Sequence, residues 1–439
     1  MKKIYEPVIG LEVHVELKTN SKMFCGCPAD HFGKAPNTQT CPVCLGLPGA
    51  LPVPNKKAVE WCIKLGLALN CTVPAESKFD RKNYFYPDLP KGYQISQYDK
   101  PLCENGWIQI NDRKIHIRRV HQEEDTGKLQ HIEAEGQQVT LVDFNRSGVP
   151  LVEIVTEPDF HTIDEVDQYV KQIRRIIRYL DISNADMEKG SMRLEPSISL
   201  RVLGSDELPN YRVELKNINS FRFVRKAIEY EISRQTEMLD KGEIIVQQTR
   251  GWSESKNVTL PQREKEEAHD YRYFPEPDIP PMSFSSEFIE EIRKQIPELP
   301  EEMKNRLMKM YDITESVAEI LTQDKEYGEY FEKTVSLSQI SPSIIANVLV
   351  NQSVNIQQVK PEELIDLINK KQQEKQVNTG IVETAIDVVL TANAKAIEDY
   401  KKGKTTVLMF LVGMVKRELK GKGDAEKIKV LLVQRINEN

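Results

Sequence analysis

The sequence predicts an α+β protein, in which a large mixed β-sheet domain with a small zinc site precedes an all-α region and a helical tail domain. Three observations support this fold class. Apolar and charged residues alternate at 9–17, short β-like segments recur through the first half, and the pattern becomes helical after the proline-rich stretch 274–281. A chain of 439 residues exceeds what one core usually serves. We therefore expect domains at 1–285, 286–370 and 371–439.

The composition is that of an ordinary soluble protein, with 39% hydrophobic residues, 29% charged residues and a net charge of −7. The longest apolar run, 407–415, is too short to span a membrane, and residues 1–20 lack a signal peptide's apolar core. We expect a cytoplasmic protein with no membrane partner. Residues 370–439 hold 14 Lys/Arg and 9 Asp/Glu, a net charge of +5, so residues 1–369 carry a net charge of −12. This asymmetry suggests that the tail meets a polyanion, although many basic helices are merely soluble.

The stretch 9–17 is the element around which we expect a functional site to form. Its apolar residues alternate with Glu12, His14 and Glu16, which is typical of a strand with one face in the core. The three polar side chains would project side by side, as oxygen ligands with one nitrogen that suit Mg²⁺ or Mn²⁺. Taken alone, such a row is more simply interpreted as a solvated outer face.

Two cysteine pairs follow, Cys25 with Cys27 and Cys41 with Cys44, and thirteen residues separate the pairs. This spacing is typical of a tetrahedral zinc site, because each pair can bind the ion from one tight turn. Disulfides are the competing interpretation, and a cytosolic chain argues against them. Four thiolates fill the coordination shell of zinc, so we expect a structural ion.

Residues 55–69 predict a helix capped by Asn55. The next stretch, 77–88, mixes aromatic residues with cations that include Lys78, Arg81 and Lys82. Such a mixture can hold phosphate groups while ring faces stack on a base. It can equally be a strand whose cations face water.

Acidic residues recur on the strands that come next. Residues 118–125 end in three successive acids, and the strands 139–144 and 150–155 are predicted to form a hairpin-like unit. Glu153 lies among apolar residues of the second strand, and a buried carboxylate needs a partner. Glu153 is therefore the best single candidate for a metal ligand or catalytic carboxylate.

A capping box at Thr162 opens a helix to about residue 180, and further strands are predicted at 191–202 and 211–215. A sheet that gathered acids from separate strands on one concave face would be a divalent-metal site of the kind used in phosphoryl transfer. The residues expected on this face are Glu12, His14, Glu124, Glu153, Glu195 and Glu214.

A resemblance to a known family is carried by the stretches 8–17, 77–88, 94–99, 121–128, 143–146, 214–221 and 270–278. In these stretches the chain resembles the B subunit family of the glutamyl/aspartyl-tRNA amidotransferase, GatB of the GatCAB complex. The resemblance extends over residues 5–280 in the correct order, with a looser likeness at 410–413.

The resemblance implies conversion of Glu-tRNA(Gln), Asp-tRNA(Asn) or both into the amidated tRNAs. In this family ATP phosphorylates the side-chain carboxylate of the misacylated residue, and ammonia then displaces phosphate. It implies ATP and Mg²⁺ as cofactors, and as partners a glutaminase A subunit, a small C subunit and misacylated tRNA. Zn²⁺ is expected mainly from the cysteine spacing.

The resemblance also implies roles for particular residues. The matching catalytic positions are Glu12, His14, Glu124, Glu153 and Glu214, with magnesium at His14, Glu124 and Glu153. Lys78, Arg81 and Lys82 are expected to contact ATP phosphates or the terminal adenosine of the tRNA. The chain departs from the family where Glu195 replaces the usual aspartate.

Family likeness makes residues 371–439 a tRNA-binding tail, with helices predicted at 385–396 and 406–419. The alternative is a plain helical bundle whose lysines keep it soluble. The residues expected to contact the tRNA backbone are Lys401, Lys402, Lys404, Lys416 and Arg417.

Two other functional classes are considered. A non-catalytic tRNA-binding scaffold would keep the zinc site and the tail but has no need for several buried acids. A metal-dependent phosphohydrolase would keep the acids but does not explain the basic tail. No G-x-x-x-x-G-K-[ST] loop occurs in the sequence, so any phosphates must be held by metal and side chains.

Overall fold

The computed structural model describes residues 3–134, 136–264, 271–352, 354–375 and 379–438. Asp270, which begins one of the stretches of family resemblance, lies outside the described residues. The chain forms two compact units, residues 1–302 and residues 303–439. The further division of the helical part at residue 370 stays a prediction.

The strands described are β1 (Tyr5–Glu16), β2 (Glu76–Ser77), β3 (Asp80–Asn83), β4 (Tyr93–Ser96), β5 (Cys103–Ile110), β6 (Arg113–Glu124), β7 (Lys128–Ala134), β8 (Gln137–Asp143), β9 (Pro150–Thr156), β10 (Met192–Val202), β11 (Val213–Lys216), β12 (Gln248–Ser253), β13 (Val258–Glu264), β14 (Phe274–Pro275) and β15 (Met282–Ser283). Eight of them form one sheet in the order β13-β12-β11-β10-β1-β9-β6-β5. Neighbours in this sheet run antiparallel, apart from β11 and β12, which run parallel. The mixed sheet expected from the sequence is confirmed.

The helices described are α1 (Lys56–Ala68), α2 (Ile163–Tyr179), α3 (Phe221–Asp240), α4 (Ser286–Arg293), α5 (Pro300–Tyr311), α6 (Glu315–Leu321), α7 (Lys325–Ser336), α8 (Pro342–Gln352), α9 (Pro361–Lys375), α10 (Thr379–Ala392), α11 (Ala394–Lys401), α12 (Thr406–Glu418) and α13 (Ala425–Glu438). The predicted caps of α1 and α2 are confirmed. Asn55 accepts hydrogen bonds from two amides of the first turn, and Thr162 forms the capping box with Glu165. Among the described residues, no helix is long and apolar enough to cross a lipid bilayer.

The core of the first unit lies on one face of the large sheet. On β1, the side chains of Leu11, Val13 and Val15 are buried. Helices α1 and α2 pack against β5, α1 also packs against β6, and α3 packs against β10. Their apolar residues, such as Ile63 and Ile173, join the same core. Because side chains alternate along a strand, Glu12, His14 and Glu16 project from the opposite face.

The predicted pairing of 139–144 with 150–155 is wrong. β8 pairs with β7 in a separate two-stranded sheet, whereas β9 pairs with β1 and β6. The intervening turn leads from one sheet to the other. The Asn145 side chain holds this turn to the segment between the cysteine pairs, because it accepts from Gln39 N at 2.8 Å and donates to Ala35 O at 2.7 Å. Long-range hydrogen bonds therefore replace the tight hairpin that the sequence suggested.

The second unit contains a small core of its own between α10, α12 and α13. Ile386, Leu411 and Leu432 are buried in it. The helix predicted at 385–396 consists of two helices, because Asn393 leaves the helical conformation, with φ −128° and ψ 42°.

Candidate active site and zinc site

The strands on either side of β1, β9 and β10, place residues from distant parts of the chain beside the polar residues of β1. His14 lies opposite Glu153 of β9 and opposite Arg193 of β10. Glu12 lies opposite Glu195 of β10. Directly opposed residues have Cβ atoms about 5 Å apart, so their side chains meet on the same face of the sheet.

Glu153 lies at the centre of a buried His–Glu cluster. One of its carboxylate oxygens is 3.5 Å from Nε2 of His14 and 3.2 Å from Nε2 of His121. Burial opposes ionisation of Glu153, but the two imidazoles outweigh it and hold its pKa well below the ordinary value. Burial likewise disfavours the charged form of His14, yet Glu153 raises the pKa of His14 to about 9. Glu153, which lies in the middle of a strand, thus has the charged partners that a buried carboxylate needs.

Glu123, and not Glu124, joins this cluster, so the expected magnesium ligand at Glu124 is corrected. The Glu123 carboxylate lies 3.5 Å from Nε2 of His121. Glu124 projects from the other face of β6, where it pairs with Lys91 at 2.6 Å and accepts from the amide of Ile95 at 3.0 Å. The physical reason is the period of two along a strand, which puts residues 121 and 123 on one face.

The His–Glu cluster fits a divalent cation. Potential ligand atoms of His14, Glu123 and Glu153 lie within 4.8 Å of one another. One imidazole and two carboxylates form a donor set that suits Mg²⁺ or Mn²⁺. The Nδ1 atoms of His14 and His121 are buried, and no hydrogen-bond partner occurs for them within the described residues. Buried polar atoms of this kind call for a ligand, an ion or a water.

A second acidic cluster lies next to the first. Ligand atoms of Glu12, Glu195 and Glu214 come within 4.8 Å of one another. Burial and neighbouring carboxylates raise the pKa of Glu12 to about 7. The ammonium of Lys216 lies 3.0 Å from Glu195 and 3.5 Å from Glu214. Despite the departure from the family pattern, Glu195 therefore points into the cluster.

The three cations expected to bind phosphate are separated by the structure. Lys82 reaches the active-site face, with Nζ 3.6 Å from Glu123. The Lys78 ammonium instead pairs with Asp80 at 2.6 Å and with Asp99 at 2.7 Å. Of the three cations, Lys82 is therefore the one that pairs with the His–Glu cluster, and the expected contact of Lys78 with a nucleotide stays a prediction.

Arg81 faces away from Lys82 because the two are consecutive in β3. Its guanidinium donates to both carboxylate oxygens of Glu276, at 2.7 and 2.9 Å, and lies over the ring of Tyr93. This bidentate contact holds β3 to the segment before α4.

The four predicted zinc ligands form one cluster. Sulfur atoms of Cys25, Cys27, Cys41 and Cys44 lie within 4.8 Å of one another, and those of Cys41 and Cys44 are 3.9 Å apart. A tetrahedron with Zn–S bonds of about 2.3 Å has sulfurs roughly 3.8 Å apart, so the arrangement fits the ion. A hydrogen bond from Cys25 outweighs burial and lowers the pKa of Cys44 to about 4, whereas the same contact raises the pKa of Cys25, so one thiolate of the pair forms readily.

The fully buried Lys22 lies beside the cysteine cluster and was not anticipated from the sequence. Its Nζ is 3.7 Å from Sγ of Cys44 and donates to the carbonyl of Gln39 at 2.8 Å. A tetrathiolate zinc site carries a charge of about −2, which a buried ammonium offsets. The presence of this cation supports a filled metal site.

We expect Lys22→Met to weaken zinc binding about 10- to 100-fold, because it removes the cation next to the thiolates while keeping the length of the side chain. Competition with a colorimetric chelator measures the change. Lys128→Met, at an exposed lysine on β7, is the matched control and should not alter zinc affinity. Equal affinities in the two variants would contradict a role for Lys22.

The arrangement defines a class of protein: an α+β domain with an acid-rich sheet face and a cysteine cluster, followed by a helical unit. Residues 7–290 match the family described as the GatB/GatE catalytic domain, and residues 331–436 match the GatB domain.

Curated relatives match nearly the whole chain. The B subunit of the aspartyl/glutamyl-tRNA(Asn/Gln) amidotransferase of Caldanaerobacter subterraneus subsp. tengcongensis is 45% identical, and the alignment covers 99% of each chain. The proteins of the same name from Thermoanaerobacter sp. (strain X514) and Persephonella marina are both 46% identical, with 99% and 98% of each chain covered. The chain belongs to the GatB family.

Proposed function

We propose that this chain is the kinase and transamidase subunit of an ATP-dependent amidotransferase that acts on Glu-tRNA(Gln), Asp-tRNA(Asn) or both. The observation that carries the proposal is the convergence of Glu12, His14, Glu153 and Glu214 on one sheet face, in a chain that belongs to the GatB family. Activity on both tRNAs accords with the names of the relatives.

The chemistry explains why such a face is needed. A carboxylate is a poor electrophile, so the γ-phosphoryl group of ATP is first transferred to a side-chain oxygen of the misacylated residue, which releases ADP. Ammonia then attacks the acyl carbon, the bond from carbon to the phosphorylated oxygen breaks, and inorganic phosphate leaves. Both reactants of the first step are anions, and a bound Mg²⁺ would supply the positive charge that lets them approach.

We assign roles to the residues by position. His14, Glu123 and Glu153 would hold magnesium, with His121 orienting Glu153 from the other side. The Lys82 ammonium borders this group and can neutralise charge on a transferred phosphoryl group.

The neighbouring acids Glu12, Glu195 and Glu214 form a further cation site beside the first. Lys216 contacts two of these carboxylates. A metal ion, or the α-ammonium of the aminoacyl group on the tRNA, would displace the Lys216 ammonium from them.

Ammonia would come from a partner. The sequence contains no recognisable glutaminase or amidase signature, so we propose a glutaminase A subunit and a small C subunit in a heterotrimer. We further propose structural zinc at the cysteine cluster and a cytoplasmic location, where charged tRNA is made.

One assay separates the proposed activity from the two other classes. ATP cleavage by the reconstituted complex is measured with and without Glu-tRNA(Gln). An amidotransferase cleaves ATP mainly with the charged tRNA, a scaffold cleaves none, and a phosphohydrolase cleaves it equally under both conditions.

The basic tail supplies a second measurement. Lys401, Lys402, Lys404 and Arg417 are exposed, and the region accords with a surface for the tRNA backbone. Replacing all four with alanine should raise the KM for charged tRNA about tenfold or more and leave the KM for ATP unchanged.

The matched control replaces Lys325, Lys360 and Lys370, which are exposed and lie outside residues 371–439, with alanine. Its KM for charged tRNA should stay within twofold of the parent value. If the four-residue variant behaves like this control, the tail does not bind tRNA through these residues.

A further inference from the structure

A polar cavity lies at the end of β1, beyond the His–Glu cluster. Its volume is about 330 Å³, and Glu16, His31, Phe32, Ser183 and Asn184 are among the residues that line it. Glu16 follows His14 by two residues on the same face of β1. The cavity therefore begins about 7 Å along the strand from the proposed metal site.

Two rings stand at the wall of the cavity. Phe32 is exposed, at 44%. The His31 ring lies against it, with centroids 4.1 Å apart and planes inclined by 33°. An exposed flat ring in a concave site is suited to stacking on a nucleobase, which presents a π-face whatever its identity.

The polar groups of the cavity suit a ribose and a base edge. One Glu16 oxygen is 3.1 Å from Nε2 of His31, and the other accepts from Arg193 at 3.2 Å. A carboxylate has about four acceptor positions, so Glu16 keeps capacity for a ribose hydroxyl, the group that acidic residues bind in nucleotide sites. The carboxamide of the exposed Asn184 can donate to and accept from a purine edge.

The cavity is poorly suited to phosphate. Among its lining residues, Lys18 is the only lysine or arginine, and its ammonium is paired with Asp181. Glu16 and Asp30 add negative charge. A nucleotide would place only its uncharged part here, with its charged groups toward Lys82 and the metal site.

The segment that carries the two rings is held at both ends. Phe32 and His31 lie between Cys27 and Cys41, whose sulfurs belong to the cysteine cluster. A hydrogen bond from the Asn145 side chain to Ala35 holds the middle of the segment. These contacts, together with that of His31 with Glu16, therefore position the rings beside β1.

We propose that this cavity is a nucleoside subsite, in which Phe32 stacks on a purine and Glu16 accepts from a ribose hydroxyl. The inference rests on the proposed function, which supplies two ligands that contain a nucleoside. These ligands are ATP and charged tRNA, the latter through its 3′-terminal nucleoside. Either one would direct its reacting group along β1 toward His14.

Adenosine binding to the full-length chain tests the subsite without any turnover. Titration calorimetry should show that Phe32→Ala weakens adenosine binding about tenfold, whereas Phe32→Tyr keeps it, because tyrosine retains the ring. Leu141→Ala, at an exposed apolar residue on β8, is the control and should bind adenosine normally. Equal binding by all four proteins, or no binding by the unmodified chain, would overturn the proposal.

Steady-state kinetics of the reconstituted complex distinguish the two sources. A raised KM for ATP alone in Phe32→Ala assigns the subsite to ATP, and a raised KM for charged tRNA alone assigns it to the 3′ end. Unchanged values for both would refute the subsite. If the unmodified chain binds adenosine at Phe32 but the complex amidates neither tRNA, the proposed function fails while the subsite stands.

Discussion

Glu153→Gln is expected to lower the rate of tRNA-dependent ATP cleavage about 100- to 1000-fold. Glutamine keeps the shape of the side chain but removes the negative charge that lies within 3.5 Å of both His14 and His121. The imidazoles then lose the carboxylate that raises their pKa values, and a divalent ion loses an anionic ligand. Single-turnover ATP cleavage with charged tRNA, measured over a range of Mg²⁺ concentrations, reports both effects.

The matched control is Glu157→Gln, just beyond the end of β9. Glu157 pairs with Arg118 on the surface, and its side chain is 36% exposed. This variant should retain nearly full activity, since exposed pairs contribute little. If Glu153→Gln folds normally and stays within tenfold of the parent rate at all Mg²⁺ concentrations, Glu153 is not part of the active site.

Removal of zinc is expected to have the largest effect on stability. Cys44→Ala should abolish the binding of one zinc ion and lower the unfolding temperature of the first unit by about 10 °C. The cause is loss of the cross-link between residues 25–27 and 41–44, which holds the segment between them. Metal analysis and calorimetry of the full chain measure the two quantities.

A chelator provides the internal control for this prediction. It should lower the unfolding temperature of the parent protein toward that of Cys44→Ala and should have little further effect on the variant. A parent protein that contains zinc yet keeps its unfolding temperature after chelation would show that the ion does not stabilise the fold.

The sequence predicted the geometry of the candidate site better on β1 than on β6. The alternation along β1 placed Glu12 and His14 on one face without any knowledge of neighbouring strands. The choice between Glu123 and Glu124 was harder, because both acids are consecutive at a strand end. The pairing of β6 with β9 sets His121 opposite Glu153, so the acid on the same face of β6 as His121 joins the cluster. Because residues two apart in a strand share a face, the position of His121 in the sequence would have suggested Glu123.

Long-range pairing was the main information that the sequence lacked. The turn before β9 looked like the loop of a hairpin, yet β8 and β9 belong to different sheets. Lys22 gave no signal either, because its burial depends on contacts with Gln39 and Phe144, which come from two separate segments. Local patterns specify which face a residue takes, whereas its partners depend on the tertiary fold.

The order of strands in the large sheet has a consequence for synthesis on the ribosome. β1 is the first strand to emerge, but its partners β9 and β10 end at residues 156 and 202. At about 5–20 residues per second, translation takes roughly 10–40 s to reach the second partner. Until residue 156 is made β1 has two unpaired edges, and the edge that pairs with β10 stays unpaired until residue 202, which makes the nascent chain prone to aggregation. Chaperone protection should therefore matter most before residue 202 is made.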